Sequence, residues 1–171
     1  MPDQTTDTKT RQKAIKDLRE LIKDIHVAML TTVSDEGQLR SRPMITARLE
    51  FDGMLWFFTL DNDGKADEIK KRPRVNLAYA DPGSHRYVSV TGSATLVHDA
   101  KKAELLWTEE LRDWFPVGPS DPDLALIQVD VEEAEYWDSK VNRLASVVKG
   151  LFFASEKKQK HDKIDWPEAV S

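Results

Sequence analysis

The sequence predicts a mainly β fold with peripheral helices: six or seven antiparallel strands curled into a barrel. Three observations predict it. Short β-rich runs recur along most of the chain, tight turn signals such as Asp52-Gly53 and Asp81-Pro82-Gly83 separate them, and few helical stretches intervene. The 171 residues are enough for one domain with a real core. We expect a flexible segment over 1–10, a single domain over 11–154 and a mobile Lys-rich tail over 155–171.

The elements follow in order. Ile15, Leu18, Ile22 and Ile25 recur at three- and four-residue spacing, so Asp7 to Asp24 reads as a surface helix with one buried stripe. Ile25 to Val33 is a strand, Ser34-Asp35-Glu36-Gly37 a turn, and Leu39 to Glu50 a second strand. Asp52-Gly53 signals a hairpin into Met54 to Leu60, because Gly accepts positive φ. A short helix, Lys65 to Lys71, stops before Pro73, and Val75 to Ala80 is the next strand. Tyr87 to Val97 alternates Val88 and Val90 with Ser89 and Thr91, the pattern of a half-buried strand. Asp99 caps a helix through roughly Leu111, and three prolines keep Trp114 to Pro122 irregular. Leu124 to Val131 and Ala134 to Asp138 read as two last strands, followed by an amphipathic helix, Val141 to Phe153.

Several functions are excluded or disfavoured. The net charge of −5 argues against a nucleic-acid partner. With no cysteine there is no disulfide framework or thiolate site, which fits a cytoplasmic setting, and no run is long and apolar enough to span a membrane. His26, His85, His98 and His161 are scattered without ligand spacing, so no metal site is expected. Neither a GxSxG elbow nor a Gly-rich phosphate loop occurs, and no side chain stands out as a catalytic acid or base.

What remains is a set of anion ligands. Thr59 ends the strand "MLWFFTL" with a hydroxyl, Lys65 opens the following helix, and Arg42 sits in a strand just before Pro43. A hydroxyl, two cations and a helix N-terminus can together hold a phosphate. The plainer alternative is that Asp63 caps the helix while Arg42 and Lys65 are solvated. The exposed Trp114-Phe115-Pro116 loop could cover a flat ring or another subunit.

These residues carry a resemblance. Ser41-Arg42-Pro43-Met44, Trp56-Phe57-Phe58-Thr59, Lys65, Tyr87-Val88-Ser89-Val90-Thr91-Gly92, Trp114-Phe115-Pro116, Asp121-Pro122 and Glu135-Tyr136-Trp137-Asp138 follow one another in a fairly specific order. In this the chain resembles the pyridoxamine 5′-phosphate oxidase-like, FMN-binding split-barrel superfamily, and its general stress protein branch in particular. The resemblance implies a homodimer of split β-barrels with FMN at the interface. It places Arg42, Pro43, Met44, Phe58, Thr59, Lys65, Trp114 and Trp137 at the cofactor, with Lys65 on the phosphate and Trp137 beside the flavin.

The departures are equally specific. Asp63 and Gly64 replace a Ser-Arg pair, and Ala47 replaces a second basic residue, so reduced FMN affinity is expected. Ala145 and Val147 stand where the oxidases carry a His and an Arg, so the vitamin B6 substrate loses its main partners. The expected function is FMN-dependent oxidoreductase or stress-related activity without true pyridoxamine 5′-phosphate oxidase activity. The alternatives are a flavin-free binding module and an oxidoreductase using a deazaflavin or haem.

Overall fold

The computed structural model describes residues 4–47, 52–138 and 160–164. The chain opens with helix α1 (Gln4–Ile22), longer at its start than the apolar spacing predicts. Leu18, Ile22 and Ile25 of the expected stripe are buried in the main core, but Ala14 is buried beside them where Ile15 is expected, and Ile15 is only partly covered. Strands β1 (Val27–Val33), β2 (Leu39–Ile45) and β3 (Met54–Leu60) follow, then helix α2 (Gly64–Lys71) and strands β4 (Arg74–Asp81) and β5 (Arg86–Val97). Helix α3 (Ala100–Leu106), a 3-10 turn (Glu109–Asp113), β6 (Leu124–Asp138) and β7 (Lys160–Ile164) complete the described chain.

All strand pairs are antiparallel, in the order β2-β1-β4-β5-β6-β3, with β7 on the free edge of β6. The path curls until β2 and β3 meet again. Their meeting is brief: Thr46 bridges Phe57, and the Ala47 N–H donates to the Trp56 carbonyl at 2.8 Å. The fold is therefore a split barrel, joined at one end of the β2–β3 seam. The Asp52-Gly53 turn leads into β3 as expected, but β3 spends its length on β6 instead of forming a hairpin with β2.

The other end of the seam is covered by α2, whose Ala66 and Ile69 are buried. Lys71 and Arg72 tie this helix to Asp35 in the β1–β2 turn, at 2.6 Å and 3.1 Å.

Three expectations need correction. The helix from Asp99 stops at Leu106, because Trp107 and Thr108 take extended backbone angles before the 3-10 turn begins. That break lets Leu106 and Leu111 both bury in one cluster, which a straight helix would point about 140° apart at a five-residue separation.

The two expected last strands are one continuous strand. Glu132 and Glu133 interrupt the alternation in sequence, and the structure absorbs the extra residue as a bulge opposite Thr91 and Gly92. Gly92 makes this possible, since a Cβ there would lie 2.3 Å from the Asp130 carbonyl oxygen.

Within the expected tail, residues 160–164 pair with β6, and Ile164 is buried. The long strand β6 offers its second half as an open edge once β3 has ended, and β7 satisfies those backbone groups. The expected helix Val141 to Phe153, with Arg143, Ala145 and Val147, lies outside the described residues.

Candidate functional site

Strand β3 is buried on both faces, and this organises everything around it. Leu55 and Phe57 point into the barrel core, whereas Trp56 and Phe58 point outward into a second cluster with Leu106, Leu111, Leu124 and Leu126. The Phe58 ring meets Trp107 edge-on at 5.7 Å and lies tilted against Phe115 at 6.1 Å. Thr59 is buried, its hydroxyl donating to the Leu60 carbonyl at 3.3 Å.

The chain then turns. Asp63 caps α2, its carboxylate accepting from the Lys65 backbone N–H at 3.1 Å and from the Lys65 ammonium. Burial pushes the Asp63 carboxyl up, but the Lys65 hydrogen bonds outweigh it, helped by the Arg42 charge, and hold it below the usual range. Asp63 thus caps the helix as the plainer sequence reading proposes, but Lys65 is not solvated: its side chain is 12% exposed and paired with that carboxylate.

Arg42 comes from β2. It pairs in register with Leu30 of β1, so its side chain starts on the barrel's inner face. There it donates to Thr32 Oγ1 at 2.9 Å and to Glu68 Oε2 at 3.1 Å. Thr32, itself fully buried, donates to the same Glu68 oxygen at 2.5 Å, and Arg40 donates to Glu68 Oε1 at 3.2 Å.

Glu68 is 7% exposed and carries both arginines. Burial raises its pKa, and the hydrogen bonds from Thr32 and Arg42, with the charges of Arg42 and Arg40, bring it below the ordinary value. One network therefore runs Lys65–Asp63, near Arg42, and on through Glu68 to Arg40. Arg40 also pairs with Glu36 at 3.9 Å, so the network holds three cations and three carboxylates with no net charge.

The sequence reading named Arg42, Thr59 and Lys65 but missed Glu68. No local pattern marks it: at about 100° per residue Glu68 lies about 160° from the buried Ala66 and about 100° from Ile69, so its burial follows from where α2 packs.

The other expected site residues lie elsewhere. Met44 is buried in the barrel core, and Pro43 is exposed opposite Met29. Phe58 belongs to the outer apolar cluster, and Trp114 stands 66% exposed beyond the 3-10 turn. Trp137 sits between Tyr87 of β5 and His161 of β7 in register. It occupies the sheet's outer face, along with exposed Val27, Met29 and Tyr87, whereas Arg42 is on the inner one. One subunit does not bring Trp137 to the charged network. Among the described residues no His, Asp and Glu group could hold a metal, and no helix is long and apolar enough to cross a membrane.

Comparison with known proteins fits this architecture. The chain is 30% identical over 150 residues to protein bli-3 of Neurospora crassa, spanning 80% of this chain and 72% of that one. A solved structure from Clostridium acetobutylicum, of a protein related to general stress protein 26 of B. subtilis, superposes with a TM-score of 0.66 at 20% identity. It covers 90% of this chain and 96% of its own. The general stress FMN/FAD binding protein of Xanthomonas citri is 25% identical with a TM-score of 0.63, covering 74% of this chain and 89% of its own. The family described as "Pyridoxamine 5'-phosphate oxidase like" matches residues 13–162, nearly the whole described barrel. This split barrel belongs to the pyridoxamine 5′-phosphate oxidase-like family.

Proposed function

We propose that this protein is a dimeric, flavin-binding member of its family, of the general stress protein type. FMN is the cofactor proposed, its phosphate directed to Arg42, Lys65 and Thr59. The observation that carries the reading is the gathering of Arg42 and Lys65 beneath the start of α2. Their side chains are only 23% and 12% exposed, although Arg42 comes from β2 and Lys65 from α2. Long cations are seldom drawn inside a barrel rim, and they fit a bound anion in kind. The likeness to the Xanthomonas citri protein, which is described as FMN/FAD binding, supports the same cofactor class.

A dimer is favoured by the outer sheet face. Val27, Met29, Tyr87 and Trp137 share it, and the first three are 47%, 40% and 37% exposed. An apolar sheet face of this kind is suited to a second copy. It would also bring one subunit's Trp137 towards the other's cofactor.

When bound, the flavin supplies the redox chemistry, and this chain's part is to hold and orient it. Ala145 and Val147 lack the groups that would fix a pyridoxamine 5′-phosphate substrate, so that oxidation is not its function. The carboxylates already on Arg42 and Lys65 favour one second reading, a flavin-free dimeric module.

The visible spectrum of the purified protein before and after adding FMN, with light scattering, separates the two. We expect a shifted, protein-bound flavin spectrum on a dimer. A free-flavin spectrum at saturating protein would overturn the flavin reading, and a monomer binding FMN at full strength would overturn the dimer.

A further inference from the structure

We infer that Glu68 is the residue that sets anion affinity at this site, because its carboxylate occupies the positions on Arg42 and Arg40 that a phosphate ester would take. This deepens the proposed function and rests on its reading of the α2 end as an anion site.

The geometry is specific. A bound phosphate needs donors converging from several elements, and the donors that converge here are Thr32 of β1 with Arg40 and Arg42 of β2. All three point at the two oxygens of one carboxylate, at 2.5 to 3.2 Å, which leaves Glu68 with a ligand set like that of a phosphate oxygen pair. Arg42 spends both its terminal nitrogens here, one on Thr32 and one on Glu68. On the far side Asp63 covers the Lys65 ammonium and accepts from the Lys65 N–H, one of the helix-start donors that usually draw an anion.

An incoming phosphate must therefore displace a carboxylate held by two guanidinium groups and a hydroxyl. The displaced Glu68 has somewhere to go. Beside it lies a groove of about 210 Å³, open to solvent and lined by Arg40 and Lys71 but also by Asp35, Glu36 and Asp67. Lys71 there is already paired with Asp35 at 2.6 Å, so a displaced Glu68 would turn to solvent in the groove instead of to a free cation. The site would thus trade one anion for another instead of filling empty space. Its affinity for phosphate would be the difference between two similar bindings.

The test compares the wild type with Glu68→Gln, which keeps the shape and the Thr32 hydrogen bond but removes the charge. Each is titrated with FMN and riboflavin by flavin fluorescence, and with inorganic phosphate by thermal shift. Glu68→Gln should bind FMN and phosphate tighter by about tenfold or more, the worth of one charge-assisted hydrogen bond, with riboflavin unchanged. Unchanged or weaker binding of both FMN and phosphate would overturn the inference.

Glu68→Asp covers the case in which Glu68→Gln does not fold. It keeps the charge but withdraws it from Arg42, and a gain in phosphate response is again expected; no gain overturns the inference. The phosphate arm separates the two claims. A phosphate gain in a protein that binds neither flavin defeats the flavin reading and leaves this inference standing. Tight wild-type FMN binding with no gain in Glu68→Gln does the reverse.

Discussion

Two regions flank strand β3, and they are built on opposite principles. On the outer side, Trp56 and Phe58 pack with Trp107, Leu106, Leu111 and Phe115 in an apolar cluster whose stability comes from area removed from water. Where β3 gives way to α2, Arg42, Lys65 and Glu68 are charges drawn largely out of solvent and held with Thr32, Arg40 and Asp63, and each is tolerable only because its partners are in place. The first region can lose a contact and still be a core. The second cannot lose a partner without leaving a buried charge exposed to its neighbours. It is therefore the region free to exchange one charged partner for another, and so the one suited to a ligand.

The largest effect expected is on the apolar side. Phe58→Ala should cost about 3–5 kcal/mol in urea unfolding, as an aromatic ring is lost from a packed cluster. A cost below about 1 kcal/mol would mean that the cluster is no core. Next comes Glu68→Ala, which strips the partner from both arginines and from Thr32. About 2 kcal/mol is expected, less than for a fully buried pair, because Arg42 keeps some solvent contact.

The two regions should also differ in their response to acid. Glu68 and Asp63 have pKa values depressed in the folded state, so their stabilising contribution is present above the unfolded value of about 4. It is lost as pH falls through the folded values. Arg40, Arg42 and Lys65 are the cations facing them. Glu68→Gln should therefore flatten the acid limb of a stability–pH curve, whereas Phe58→Ala should lower the curve in parallel. Equal slopes for all three proteins would erase the distinction between the regions.

Lys65→Ala should weaken FMN binding by about 1–3 kcal/mol with little change in riboflavin affinity, measured by fluorescence titration. The smallest stability effect belongs to Asp63→Ser, which keeps a good cap but takes the carboxylate from Lys65, and should cost about 1 kcal/mol in unfolding. It should nevertheless tighten FMN binding, by replacing a carboxylate with a donor. No tightening would mean that Asp63 acts only as a cap.

Much of this was legible in the sequence, for reasons that differ between the regions. Strand β3 is found where the apolar run predicts it, Met54 to Leu60, because a strand buried on both faces leaves an unbroken hydrophobic signature. Arg42, Thr59 and Lys65 stood out because polar groups beside an apolar strand are unusual. Glu68 did not, because a single acid in a short charged helix looks solvated until the helix is placed against β1 and β2. The continuity of β6 was hidden for a similar reason: Glu132 and Glu133 break a period of two, and only the partner strand reveals a bulge. Trp114 and Trp137 were legible as aromatics, but their relation to the charged network depends on a face and on a second copy, which no local pattern encodes.

The central claim is that the charged region, not the apolar one, binds the phosphate of a flavin nucleotide. The measurement that tests it most directly is the ratio of FMN to riboflavin affinity in the wild type and in Arg42→Ala, at one pH and salt concentration. The account predicts that the wild type prefers FMN, and that Arg42→Ala reduces that preference by about tenfold or more while leaving riboflavin affinity almost unchanged. Equal affinity for the two flavins in the wild type, or a preference for FMN that survives Arg42→Ala intact, would contradict it.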